Sequence, residues 1–215
     1  MSSNRPVSPA SAALDTVVLR YFLLVDRTEL LLNLLGSPLG VPRVVYDPDE
    51  GDVPPEAMSE MTRAIYDQRR RSEDILQPDD VRAAANKSMQ RLHAIHSLNG
   101  IGHIETLDMA DAERRTFATL TSARASGTAD LMFPLAAGEA ATVAISLGRG
   151  LVCATDDSDA LHALEVLRPG HPYERIRKLL RRAADEGLID RATATKIHVD
   201  MRQAGFWDKG TPFPE

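Results

Sequence analysis

Gly150-Leu151-Val152-Cys153-Ala154-Thr155, running into Asp156-Asp157-Ser158-Asp159, is the stretch on which the fold turns. A continuous apolar run with a charged end is the pattern of a parallel strand buried on both faces. The acids after it open a helix expected to reach Leu167. Upstream, a helix beginning near Gly138 and running to Leu147 places Ala140, Ala141, Val143, Ala144 and Leu147 on a small-residue packing face. The same alternation recurs towards the amino terminus. A short strand near Ala12 to Asp15 leads into helical segments that stop at Gly36, and Leu39 to Pro42 forms a second strand. Ile101 to Leu107 forms a third, followed by a helix through Glu113, Phe117 and Leu120. Strands alternating with helices predict an α/β fold with a mainly parallel sheet.

Between these units, Arg43 to Tyr46 is expected to start a helix that Asp47-Pro48-Asp49-Glu50-Gly51-Asp52 interrupts as a loop. Pro54-Pro55-Glu56 reopens a helix to about Leu76, and Gln77-Pro78-Asp79-Asp80 breaks it and caps the next, Val81 to Leu98. Asn99-Gly100 is a turn. Tyr173 to Glu186 and Arg191 to Ala204 are expected as two amphipathic helices, with Trp207 plugging the end of the last.

A length of 215 residues suffices for one sizeable core, and no Pro/Gly/Ser-rich stretch in its middle separates two. Aromatic residues make up only 5%, which argues against binding single strands by stacking successive bases. A net charge of -6 offers nucleic acid no general attraction, so such a substrate would need a local basic patch and bound cations. The lone cysteine, Cys153, excludes an intramolecular disulfide and a thiolate zinc site, and suits a reducing cytosol. Met1 to Ala10 carries no long apolar segment and reads as a disordered lead rather than a signal peptide. No stretch has the roughly 20 uncharged apolar residues of a membrane span. A cytoplasmic protein with no membrane partner is the expectation.

Ligands of open parallel sheets collect outside the carboxyl ends of the strands, where Asp15 closes the first strand and Asp156, Asp157 and Asp159 follow the last. Glu139 opens the preceding helix and reaches the same edge. Carboxylates so gathered repel one another unless Mg²⁺ or Mn²⁺ lies between them, and hard cations prefer oxygen ligands. Such a centre suits phosphodiester hydrolysis. Asp156, Asp157, Asp159 and Glu139 also stand where acids cap helices, which is the structural alternative for each. Asp15 has no such simple account, because an aspartate inside an apolar run is costly unless paired.

These residues resemble the PIN-domain family, in its toxin-type ribonuclease branch. Leu14-Asp15-Thr16-Val17-Val18-Leu19 is similar to the family's opening motif, with Val17 where a small polar residue is usual. Gly138-Glu139 through Leu147, and Thr155-Asp156-Asp157 with Asp159, resemble its Gly-Glu helix and its Thr-x-Asp-x-Asp strand end. Val41-Pro42-Arg43-Val44-Val45 resembles its second strand, but Pro48 falls where the family's next acid stands, leaving Asp47 or Asp49 as replacements. Leu179 to Ile189 and Met201 to Trp207 resemble its C-terminal helices. The likeness covers Leu14 to Val45 and Ile101 to Trp207. Residues 50–100 then form a helical insertion within one domain spanning residues 12–207, between a lead of residues 1–11 and a tail of 208–215. The resemblance implies a three-layer α/β/α sandwich that cleaves RNA with Mg²⁺ or Mn²⁺. Asp15, Glu139, Asp157 and Asp159 would be its catalytic and metal-holding acids, with Asp156 able to replace either of the last two. Thr16 and Thr155 are candidate substrate contacts, and an antitoxin protein and a second copy of the chain are the partners it raises.

Two alternatives stand beside this. One is a PIN-like module that binds or regulates without cutting. The other, a haloacid-dehalogenase-type phosphatase, is weakened because Asp15-Thr16-Val17 lacks an aspartate two residues on. Arg69-Arg70-Arg71 and the set Arg175, Arg177, Lys178, Arg181 and Arg182 are the dense basic clusters, either substrate contacts or solvated helix faces. His93, His96 and His103 are too loosely spaced to suggest zinc.

Overall fold

A computed structural model describes residues 9–122 and 134–213 of the chain. Most of the expected lead, residues 1–8, and the last two residues of the tail lie outside the described residues. β1 (Ala12–Leu14) is followed by α1 (Thr16–Leu24) and α2 (Thr28–Leu35), then by β2 (Leu39–Pro42). An arm of three helices comes next: α3 (Glu60–Glu73), α4 (Asp79–Leu92) and α5 (Ala94–Gly100). β3 (Ile104–Leu107), α6 (Asp111–Leu120), α7 (Ala137–Arg149) and β4 (Val152–Ala154) follow. The chain then runs through α8 (Ser158–Leu167), β5 (Tyr173–Glu174), α9 (Ile176–Asp185) and α10 (Arg191–Gln203).

The five strands form one all-parallel sheet in the order β3-β2-β1-β4-β5, the middle of a three-layer α/β/α sandwich. Strand alternation sorts the side chains between the two helical layers. Ala12, Leu14, Leu39, Val41, Ile104 and Ala154 enter the larger core with α1, α2, α9 and α10. Cys153 turns the other way, into the alanine-rich face of α7 and α8, while Ala13 and Leu107 meet Ile145 of α7. Gly40, paired with Ala13, leaves room for no side chain, since a Cβ there would lie 2.6 Å from the Ala12 carbonyl oxygen. The helical arm is knit into the larger core through Met61, Ile65, Leu92 and Ile95. Among the described residues no helix is long and apolar enough to cross a membrane.

Several local expectations are corrected. Arg43 to Tyr46 makes a single turn, in which the Val45 and Tyr46 amides both donate to the Pro42 carbonyl. Pro48 disfavours helical backbone at Asp47 and ends the turn there. A 3₁₀ turn, Pro55–Ala57, precedes α3, which stops at Glu73, short of Leu76. The helix expected over Val81 to Leu98 breaks at His93, and α5 extends through Gly100, so the third strand starts only at Ile104. Tyr173–Glu174 is a strand rather than the start of a helix, because it completes the edge beside Cys153 and Ala154. Two residues are too short to carry a pattern. Gly205, at φ 99°, turns Phe206 rather than Trp207 inwards. Phe206 packs 5.0 Å from the Tyr21 ring, and Trp207 is 54% exposed.

Candidate active site

The chain leaves β1 towards β2 and β3 on one side of the sheet and returns to β4 and β5 on the other, so the topological switch lies between β1 and β4. Asp15 follows β1 there, its backbone N–H donating to the Ala154 carbonyl at 2.9 Å. It caps α1, with Oδ1 accepting from the Thr16 amide at 2.7 Å and Oδ2 from the Thr155 hydroxyl at 2.9 Å. The carboxyl is 1% exposed. Burial, reinforced by the negative charges of Glu139 and Glu60, pushes its pKa up to about 7 against the Thr155 bond.

Thr155 is fully buried and accepts from the Asp157 amide at 3.1 Å while donating to Asp15. It is a positioning residue that ties the ends of β1 and β4 together. Asp157 caps α8, accepting from the Ala160 amide at 2.8 Å, and Asp159 lies exposed in the first turn of that helix. Glu139 accepts from the Ala136 amide at 3.0 Å at the start of α7. Burial and then the charge of Asp157 raise its pKa to about 7, with Glu60 and Asp159 adding to the rise. Glu60 thus bears on both Asp15 and Glu139, Glu139 on Asp15, and Asp157 and Asp159 on Glu139.

Asp47 and Asp49, left open in the sequence, are both tied to Arg43, at 2.5 and 3.4 Å. Glu60, at the start of α3, is brought to the other acids instead. The Glu60 amide donates to the Val44 carbonyl at 3.0 Å and the Met61 amide to Val45 at 2.9 Å, so α3 docks by backbone on the turn after β2. Glu50 fixes the approach, accepting from the Ser59 amide at 2.5 Å and its hydroxyl at 2.9 Å. The Glu60 carboxylate then accepts from the Thr16 hydroxyl and from the Gly138 amide at 2.9 Å. A Cβ at Gly138 would strike that carboxylate, which explains the glycine before Glu139. Thr16, like Thr155, thus serves a carboxylate of the site.

Asp156 is separated from the other acids. Fully buried on the opposite side of the chain, it accepts from the Ile176 amide at 2.7 Å and the Arg175 guanidinium at 3.3 Å, capping α9. Burial raises its pKa while those two partners lower it. Asp156→Ala leaves Arg175 and the start of α9 without their acceptor. It is expected to cost about 3 kcal/mol in urea unfolding while leaving divalent-cation binding unchanged. Loss of cation binding in a variant that still folds would return Asp156 to the site.

Every charge that raises the Asp15 and Glu139 pKa values is negative. Among the described residues no three Asp, Glu, His or Cys side chains stand close enough to hold a metal ion as they are placed. The convergence is one of charge rather than a closed ligand cage. No protein-family model matches the chain, and no curated protein or solved structure matches it. Three arginines of the basic cluster at and on α9 pair with internal acids: Arg175 with Asp156, Arg177 with Asp208 at 2.6 Å, and Arg182 with Glu174 at 2.7 Å. Arg70 and Arg71 are exposed on α3. The Tyr46 hydroxyl lies 2.9 Å from His96, and His103 bonds to the Ser37 hydroxyl.

Proposed function

We propose that the chain is a Mg²⁺- or Mn²⁺-dependent endoribonuclease, similar in kind to the PIN ribonucleases. One observation carries the proposal: Thr16 donates to both Asp15 and Glu60, Glu60 accepts from the Gly138 amide beside Glu139, and Thr155 links Asp15 to the Asp157 amide, so acids from four separate elements are drawn to the β1/β4 switch point. A set of hard carboxylate oxygens without a counter-charge fits a divalent cation. Asp15, Glu60, Glu139 and Asp157 would hold it, with Asp159 at the rim. Bound there, such an ion supplies an activated water and neutralises charge building on a phosphate.

The chain's own groups prepare that chemistry. Thr155 and Thr16 hold Asp15 and Glu60 in place, and the amino-terminal ends of α1, α7 and α8 favour negative charge at the site. With pKa values of about 7, Asp15 and Glu139 retain protons near neutrality that a cation must displace. RNA as the substrate, and pairing with an antitoxin, rest on the likeness of the Asp15-Thr16, Gly138-Glu139 and Thr155-Asp156-Asp157 motifs to toxin-type ribonucleases. The test is incubation of single-stranded RNA with the protein at millimolar Mn²⁺ and with a chelator. Cleavage is expected only in the first, and its absence with Mg²⁺ and Mn²⁺ alike would sink the assignment.

A second proposal, a non-cutting module of the same fold, draws on one feature. Both oxygens of Asp15 and the carboxylate of Glu60 already accept hydrogen bonds from the chain. Binding of RNA without cleavage and without cation uptake would favour it.

A further inference from the structure

A cleft of about 760 Å³ opens beside the acids and runs over the carboxyl ends of β2 and β3. Glu60 lines the cleft, as does Ala136, whose amide donates to Glu139, so the cleft adjoins the acids. Its floor is apolar, with Pro42, Leu107, Met58 and Met109, and its volume is in the range of small-ligand pockets. Its polar rim carries five carboxylates, of Asp47, Glu50, Glu56, Glu60 and Asp108, against three guanidiniums, of Arg43, Arg63 and Arg114. Arg63 donates to the Pro55 and Glu56 carbonyls, Arg114 to the Met109 carbonyl, and Arg43 to Asp47 and Asp108. Glu56 is exposed on the 3₁₀ turn, and among the described residues no hydrogen bond or ion pair engages its carboxylate.

A rim with more carboxylates than guanidiniums disfavours a phosphate, and an apolar floor suits a flat ring whose edge carries N–H donors. Guanine is the base with two adjacent donors, N1–H and the 2-amino group, which match the two oxygens of one carboxylate. Adenine and cytosine set one amino group beside an acceptor, and uracil flanks its single N–H with carbonyls. We infer that this cleft is a base-binding subsite that selects guanine next to the scissile phosphate, with Glu56 reading the guanine edge. The inference rests on the nuclease proposal for the identity of the strand, but base binding is measurable without cleavage.

The experiment is fluorescence anisotropy of labelled single-stranded oligouridylates, with and without one central guanosine, on Asp15→Asn protein in chelator. Guanosine is expected to tighten binding by about tenfold, the value of one good bidentate base contact. Glu56→Gln, exposed and equal in size, should reduce that gain to under about threefold, since an amide offers one acceptor where guanine needs two. Ala137→Trp, which places a ring in the cleft from an exposed position at the start of α7, should remove it as well. Equal binding of the two oligonucleotides, or a preference that survives both substitutions, overturns the subsite. Parallel Mn²⁺-dependent cleavage assays on the parent protein separate the two proposals. Guanine preference without cleavage retains the subsite and removes the nuclease, and cleavage indifferent to the base does the reverse.

Discussion

Asp15→Asn is expected to unfold at a higher temperature than the parent chain at pH 8 without metal, and to lose Mn²⁺-dependent RNA cleavage by roughly 1,000-fold. Both effects follow from the same buried charge. A rise in the Asp15 pKa from 3.8 to about 7 means that holding the group ionised costs the fold about 4 kcal/mol. Asparagine removes that cost. Against this, its single carbonyl cannot accept from both the Thr16 amide and the Thr155 hydroxyl, a loss of about 1 kcal/mol. The difference, about 3 kcal/mol, predicts a gain of about 9 °C in melting temperature for a chain of this size. The loss of activity reflects the several kcal/mol that a bound cation contributes to a phosphoryl transition state, at tenfold in rate per 1.36 kcal/mol. A variant more stable than its parent and inactive would separate a functional acid from a structural one. Undiminished cleavage would contradict the assignment of Asp15.

The second expectation concerns pH. Between pH 4 and pH 7 Asp15 and Glu139 hold more protons in the folded chain than in the unfolded one, whereas His96 and His198, lowered by burial, hold fewer. The share of metal-free stability that depends on Asp15 and Glu139 should therefore fall as pH rises through that window and level off above it, the reverse of a salt-bridged carboxylate, so the parent should lose stability relative to Asp15→Asn. Asp15 accounts for most of the fall. Glu139 is only half-buried, so water screens its share. The charges facing the pair, Glu60, Asp157 and Asp159, are all negative and deepen the effect. Millimolar Mn²⁺ should reverse it at pH 8, with about 2.7 kcal/mol of stabilisation at a concentration 100 times the dissociation constant, and do little at pH 5. Thermal melts across pH, with Mn²⁺ and with chelator, give the two curves. A parent whose metal-free melting temperature does not fall relative to that of Asp15→Asn from pH 5 to pH 8 would show that the acids are not held against their charge.

The parallel sheet was legible because its central strands, β1 and β4, are apolar runs that end on acids, a pattern requiring no knowledge of the partners. Asp15, Glu139 and Asp157 were legible for the same reason, each lying next to a strand end or a helix start. Asp156 and Asp157 are consecutive, and only the alternation of the strand separates them. Thr155 and Asp157 face one layer, while Asp156 follows Ala154 towards α9. Glu60 was not legible. It reaches the site by backbone bonds to Val44 and Val45, which no side-chain pattern announces, from a stretch set aside as an insertion. Phe206 and Trp207 are both large and apolar, and the left-handed turn at Gly205 decides which enters the core.

The central claim is that Asp15, Glu60, Glu139 and Asp157 form one divalent-cation site. Calorimetric titration of the metal-free protein with Mn²⁺ at pH 7, in two buffers of different ionisation enthalpy, tests it most directly. Saturable binding with net proton release is predicted, because the cation must displace protons from Asp15 and Glu139, and Asp15→Asn, Glu60→Gln and Glu139→Gln should each weaken it by about tenfold or more. No binding at millimolar Mn²⁺, or binding that all three variants retain without proton release, would contradict it.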